Sequence, residues 1–421
     1  MKSQTHLNRS LRAAAPRARR AARLTAIACA AALVVGGAAA CGGQAGAAGG
    51  SGGAAGGSGG TLTVGVQFGL TGADAAFDAV YQNSAKIVFN PVAQSGIKGT
   101  KVVFDYADDA SDPATAVSLA RQDVAQDHAS VLYGPAFTPT ALSTKQTADS
   151  LKVPFYTPGS INPGLTTPLD PYTFAPAFSS NDVADGIAKL ANSLGVKKVG
   201  MLEESDSYGQ AALQSAQTAL AKYGLKVNAT QEIAADATDA TSQIRALQSA
   251  GVGIILLGVT APPMTAALNA EISSGFYAPM VTFAGSDSAL DKLASSDPKI
   301  KYYALTPLAC PLGDPCTADF MKAWKAAYPG QTPIVWTAQA YAAAKAFIAG
   351  LQNAPALTPA GIAKGLETMQ PYSTPELPCP IQFSAQSHKG NSCTNFYGIT
   401  GGKLSFFGSV ATNNQLAAVA K

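Results

Sequence analysis

Histidine is nearly missing from this chain: three residues in 421, His6, His128 and His388. A Ser-His or Cys-His nucleophile pair, or a histidine-based metal centre, therefore has little to draw on. His128 closes an expected helix and His388 stands alone, and neither sits in a context that suggests a catalytic base. Charge is sparse too, at 13% of residues, and no Asp or Glu occurs before Asp74. The apolar run from Leu24 to Val35 is about a dozen residues, short of the roughly 20 that a membrane-spanning helix needs. No second run of that kind follows. These absences give no footing to a membrane-spanning helix, an enzyme, a metal site or a cofactor.

What the first sixty residues do contain is an export address. Lys2, Arg9, Arg12, Arg17, Arg19, Arg20 and Arg23 precede the apolar run, which leads into Ala38-Ala39-Ala40-Cys41 and a tract of Gly, Ala and Ser. This is the layout of a signal peptide over residues 1–40 that ends at a lipid-acceptor cysteine, Cys41. Residues 41–60 then form a flexible linker with a reach of roughly 25 Å. Ordinary cleavage after Ala38-Ala39-Ala40 is the alternative, since Ala38 stands where a lipid-acceptor motif usually has Leu. Removing the leader leaves 22 basic against 26 acidic residues, so the basic formal charge belongs to the leader and points to no nucleic-acid partner. The expected address is the outer face of the cytoplasmic membrane, reached through the lipid anchor.

Of six cysteines, Cys29 leaves with the leader and Cys41 sits at the processing site. Cys310, Cys316, Cys379 and Cys393 remain, an even set in an oxidising compartment, which favours two local disulfides over a metal cluster with His388. Asp108, Asp109 and Asp112 resemble part of a calcium loop, but Asp112-Pro113 reads as a helix N-cap with Pro in the first turn. The Gly-x-Ser-x-Gly strings at Gly49 and Gly56 lie in the linker with no strand before them and no helix after, and carry no nucleophile.

From Thr61 onward, short β-rich runs alternate with helical ones. The spacing predicts strands over 62–68, 101–106, 130–133, 153–156, 198–202, 225–233, 253–257, 280–283 and 301–305. It predicts helices over 75–95, 113–127, 140–151, 182–194, 209–223, 240–250, 262–274, 289–293, 318–328, 337–352 and 358–369. This implies an α/β fold of two doubly wound parallel-sheet lobes, divided where Pro171, Pro176 and two serines break the pattern. Ligands in such folds sit beyond the carboxyl ends of the strands, so a cleft between the lobes would collect loops from both.

Those loops carry motifs that resemble the leucine/isoleucine/valine-binding type of ABC-importer solute-binding protein. They include Leu70-Thr71-Gly72, Gly96-Ile97-Lys98-Gly99, Asp105-Tyr106-Ala107-Asp108-Asp109, Gly134-Pro135 with Thr138, Pro158-Gly159-Ser160, Asp206-Ser207-Tyr208-Gly209 and Tyr328-Pro329-Gly330. The resemblance covers nearly all of 61–408. It implies three crossover strands near Ala177, Leu305 and Phe383, with lobe 1 formed by 61–176 plus 306–383 and lobe 2 by 177–305 plus 384–421. It also implies a monomer that takes a small-molecule ligand in the cleft and hands it to permease subunits. A sensory receptor signalling to a membrane partner is the alternative. Thr138 falls where a hydroxyl and amide hold a ligand carboxylate, Ser160 where a small residue offers its backbone, Tyr208 where an aromatic lines the second lobe, and Phe77 where an aromatic closes over the ligand. Thr138 also precedes a helix N-terminus, which favours an anion, and Ser207 reads as the N-cap ahead of Tyr208.

Two positions depart from that pattern. Ile161 replaces a threonine that meets both ends of an amino acid, and Ala284-Gly285-Ser286-Asp287 replaces a glutamate that faces the ligand ammonium. Asp287 is left as the residue that could carry the charge, with capping of the next helix as its other role. A buried unpaired ammonium is costly, so the sequence leads to a less polar acid, an amide or an aromatic compound as ligand rather than a simple α-amino acid.

Overall fold

A strand buried on both faces reads as a continuous apolar run, as Ile254-Ile255-Leu256-Leu257 does, all fully buried; β1 (Thr61–Phe68) instead alternates, and Leu62, Val64, Val66 and Phe68 bury one of its faces. The computed structural model describes residues 60–285 and 288–409. The leader, Cys41, the linker and Asp287 lie outside the described residues.

After β1 come α1 (Ala75–Ser95), β2 (Lys101–Asp108), α2 (Pro113–Ala125), β3 (Ala129–Tyr133), α3 (Thr138–Leu151), β4 (Phe155–Tyr156) and β5 (Thr173–Phe174). These strands form a parallel five-stranded sheet in the order β2-β1-β3-β4-β5. The chain continues through α4 (Ser180–Ser193), β6 (Val199–Glu204), α5 (Ser207–Ala221), β7 (Val227–Ile233), α6 (Thr241–Ala250), β8 (Ile254–Gly258), α7 (Ala261–Ser274), β9 (Met280–Gly285), α8 (Ser288–Ser295) and β10 (Lys301–Thr306). Helices α9 (Ala318–Ala327), α10 (Val335–Asn353) and α11 (Pro359–Thr368) return to the first sheet, packing on α1 and β3. Strands β11 (Asn395–Thr400) and β12 (Lys403–Ser409) then complete a seven-stranded sheet, β12-β11-β10-β9-β8-β6-β7.

The order reverses at β1 and β3 in the first sheet, and at β6 and β8 in the second, which makes both doubly wound. The second sheet differs from the sequence-level expectation at one edge, where β11 and β12 run antiparallel. Both short strands of the first sheet hold by backbone bonds, Phe155 N–H to Tyr172 O at 2.8 Å and Thr157 N–H to Phe174 O at 3.0 Å.

Local chemistry explains where the helices begin. Asp112 caps α2, accepting the Thr115 amide at 2.7 Å, with Pro113 in the first turn. Asp108 accepts the amides of Leu70 at 2.8 Å and Ala110 at 2.8 Å, and Asp109 accepts that of Ser111 at 2.9 Å. The calcium-like acidic string is thus spent on turns, and it fixes the loop between β1 and α1. Tyr156 ties the first sheet to α10 through its hydroxyl, 2.9 Å from the Ala343 carbonyl.

Both expected disulfides are formed. Cys310 pairs with Cys316 and Cys379 with Cys393, at Cα separations of 6.3 and 5.9 Å. The second closes the strap that leads from the first sheet to β11. Phe383, in that strap, packs against Tyr156 and Phe174 of the first sheet. Gly390 bonds to Ala175, its amide 2.7 Å from that carbonyl, so the passage to the second sheet falls between Gly390 and Asn395.

Candidate functional site

The carboxyl ends of three strands in each sheet open on one cavity of about 160 Å³. From the first sheet come Ala73–Phe77 after β1, Ala136–Thr138 after β3 and Gly159–Ile161 after β4. From the second come Tyr208 after β6, Thr260–Met264 after β8, and Ala284 and Gly285 at the end of β9. Ile334 and Trp336 at the start of α10 close the side.

Four of the five residues expected at the site from the sequence meet here: Phe77, Thr138, Ser160 and Tyr208 all line the cavity. Asp287 lies outside the described residues. Thr138 and Ser160 are joined through their hydroxyls at 2.9 Å. Phe77 meets Tyr81 and Trp336 edge to face, at 5.0 and 6.0 Å between ring centres. Ile161 is buried in the wall, as its apolar side chain requires.

Two local readings need correction. Asp206, not Ser207, caps α5, accepting the amides of Tyr208 at 2.8 Å and Gly209 at 3.0 Å. An Asp one residue earlier reaches both amides, whereas Ser207 already lies inside the helix. A Cβ on Gly209 would lie 2.0 Å from the Glu204 carbonyl oxygen, so only glycine lets α5 start this close to β6 and hold Tyr208 at the cavity. The entrance of α3 is also less open to an anion than its position suggests. Asp78 of α1 is fully buried and its Oδ1 already accepts the amides of Ala136 at 3.2 Å and Phe137 at 3.1 Å, while its Oδ2 takes that of Gly69 at 2.8 Å.

The site has acidic members that the sequence did not single out. Asp74 stands at the N-cap position of α1, but its side chain caps nothing, and its Oδ2 is buried without a partner. Glu204 at the end of β6 accepts the Thr260 amide at 2.6 Å and also the Thr260 hydroxyl, leaving its Oε2 unpartnered. The Tyr208 hydroxyl and Asp206 Oδ2 are likewise shut from solvent with no partner. Burial, followed by the charges of Asp78, Glu204, Asp206 and Asp109, holds the Asp74 carboxyl well above the usual carboxylate range. Burial pushes Asp78 up to about 8, against the pull of its amide donors, and Glu204 up to about 7. The Tyr208 hydroxyl is raised by burial and then by Glu204, Asp206 and Asp74. Carboxyls from both lobes thus meet around one phenol. Asp74 left no signal in the sequence beyond an acid three residues before Phe77, and Glu204 and Trp336 left none, because their role exists only once the sheets come together.

Residues 61–403 match the family model described as periplasmic binding protein. An amino acid binding protein of Pseudomonas aeruginosa is 27% identical over 201 residues, 47% of this chain and 53% of that protein. The chain therefore spans about half the length of that relative. The Leu/Ile/Val-binding protein homolog 2 of Brucella abortus is 25% identical over 318 residues, 74% of this chain and 84% of that protein. Among solved structures, a type 1 periplasmic binding protein from Bordetella pertussis shares the fold, with a TM-score of 0.72 at 21% identity over 83% of this chain and 100% of that one.

Proposed function

The chain belongs to the periplasmic binding protein family, and from that premise we infer that it is a lipid-anchored extracytoplasmic receptor which captures a small organic solute and delivers it to the permease of an ABC importer. The observation that carries this reading is that strand-end loops of both sheets line one and the same cavity. A ligand held there touches Thr138 and Ser160 on one side and Tyr208 on the other. Closure of the lobes is then favoured by as much as the ligand's contacts differ between the open and closed states.

The moving bodies in this reading are lobe 1, residues 61–176 plus 306 to about 390, and lobe 2, residues 177–305 plus β11 and β12, the third crossing lying after Gly390 rather than near Phe383 because the strap up to Gly390 stays bonded to Ala175. Three chain segments connect them, and few connections with many facing loops suit a hinge. The anchor at Cys41 is supported by the small-residue run before it and by the pairing of the other four cysteines of the mature chain. A tether with a flexible linker keeps a receptor near its permease. No reaction is assigned to the site.

Thermal denaturation of the purified protein against amines, amides, amino acids and aromatic acids tests the reading. At least one class is expected to raise the melting temperature, and Tyr208→Ala and Thr138→Ala are each expected to weaken its binding several-fold while the protein stays folded. A protein that responds to no small solute would sink the receptor function. Unchanged affinity in both variants would sink the site.

A further inference from the structure

We propose that the cleft selects an organic cation: a small amine with an apolar body, its ammonium held between Asp74 and the Tyr208 hydroxyl and its body against Phe77 and Trp336. The proposal rests on the solute-receptor reading and narrows it to a ligand class.

The cavity offers acceptors and lacks cations. Asp74 is 5% exposed, lines the cavity, and has an unpartnered oxygen although it occupies a position where Asp ordinarily caps a helix. The fully buried Glu204, whose charge acts on the Tyr208 hydroxyl, has a second unpartnered oxygen, and Asp206 a third. Among the described lining residues there is no Lys, Arg or His. Part of the donor set that could hold a carboxylate is already engaged. The Thr138 and Ser160 hydroxyls bond each other, the Thr260 hydroxyl goes to Glu204, and the amides of Ala136 and Phe137 go to Asp78. A ligand carboxylate would enter against these acids with no cation to meet it.

An ammonium meets the opposite situation. Phe77 and Trp336 both line the cavity and meet edge to face, and a desolvated ammonium near such rings gains further attraction. A buried acid with no partner is held neutral, and an arriving ammonium lets it ionise and pair. An acid at the start of α1, in the opposite lobe, thus stands ready for the role that the resemblance gives to the loop after β9.

Isothermal titration of the intact protein with matched ligands tests this: phenethylamine, phenylalanine and 3-phenylpropionate, and isoamylamine, leucine and 4-methylpentanoate. In at least one set the amine is expected to bind tenfold or more tightly than both its amino acid and its acid. Asp74→Asn is expected to weaken the amine at least tenfold without lowering the melting temperature of the unliganded protein. Glu204→Gln serves as a second variant with the same expected direction. Tighter binding of an acid or amino acid, or amine binding indifferent to both variants, overturns the proposal and leaves the receptor reading intact. If none of the six binds while another solute class raises the melting temperature, the cation assignment alone fails. If no solute of any class has an effect, both readings fail.

Discussion

Trp336 is a wall of the cleft because Gly285 gives it room. A Cβ at Gly285 would lie 2.7 Å from Trp336 Nε1 and 2.9 Å from Val335 Cγ2, closer than side chains tolerate. Gly285→Ala is therefore expected to push the indole into the cavity and to weaken ligand binding at least several-fold, while the cost in stability stays within the roughly 1–3 kcal/mol of overpacking. Titration and thermal melts of the same variant separate the two effects, and unchanged affinity would remove Trp336 from the site. Residues of this kind mark the limit of what the sequence discloses. Phe77, Thr138, Ser160 and Tyr208 were legible because each follows a strand end in a short motif, and strand ends face the cleft in this fold. Asp74 was hidden because an Asp before a helix reads as a cap, and only burial with a spare oxygen says otherwise. In the sequence Gly285 is one of four residues standing where a glutamate is expected, although what it does is admit a tryptophan about fifty residues further along the chain.

Among elements, the disulfide-closed strap is the piece whose contribution can be ranked against a second example in the same molecule. Cys379 and Cys393 are 14 residues apart, Cys310 and Cys316 only 6. The chain-entropy estimate gives about 3 kcal/mol for the longer loop and about 2 for the shorter. Replacing Cys379 and Cys393 together by Ser is thus expected to lower the urea midpoint more than the matching pair of changes at Cys310 and Cys316, and the reverse order would show that strain or residual structure outweighs loop closure. Most other elements could be placed from the sequence, since Asp112-Pro113 and Thr358-Pro359 announce helix starts and apolar runs announce strands. Strand β5 could not, because Thr173–Phe174 is too short to show a period and exists by pairing with β4. Strands β11 and β12 went unread although the signal was present. Gly401-Gly402, both with positive φ, join two runs rich in β-formers, which is the signature of a two-residue hairpin turn.

For the molecule as a whole, the buried acids set an unusual dependence of stability on pH. Burial raises Asp78 to about 8 and Glu204 to about 7, and Glu271 in α7 to about 8, while Asp74 is raised with them by burial and by Asp78, Glu204, Asp206 and Asp109. In the unfolded chain these carboxyls ionise near pH 4. Between pH 4 and 8 the unfolded state therefore loses protons that the folded state keeps, so folding is favoured most at the acid end and weakens as pH rises through the folded values. Asp108, Asp112 and Asp239 are shifted downward, and act below this window. The unliganded protein is expected to melt several degrees lower at pH 8 than at pH 5. An amine bound at Asp74 reverses the sense for that group, because pairing favours the ionised carboxyl, so the rise in melting temperature caused by amine should be larger at pH 8 than at pH 5. Asp74→Asn should remove that difference and flatten the unliganded profile. A melting temperature that climbs from pH 5 to pH 8 without ligand would mean that amide donors such as those on Asp78 outweigh burial. In that case the cleft would hold standing negative charge when empty, and an amine would meet an acid already ionised.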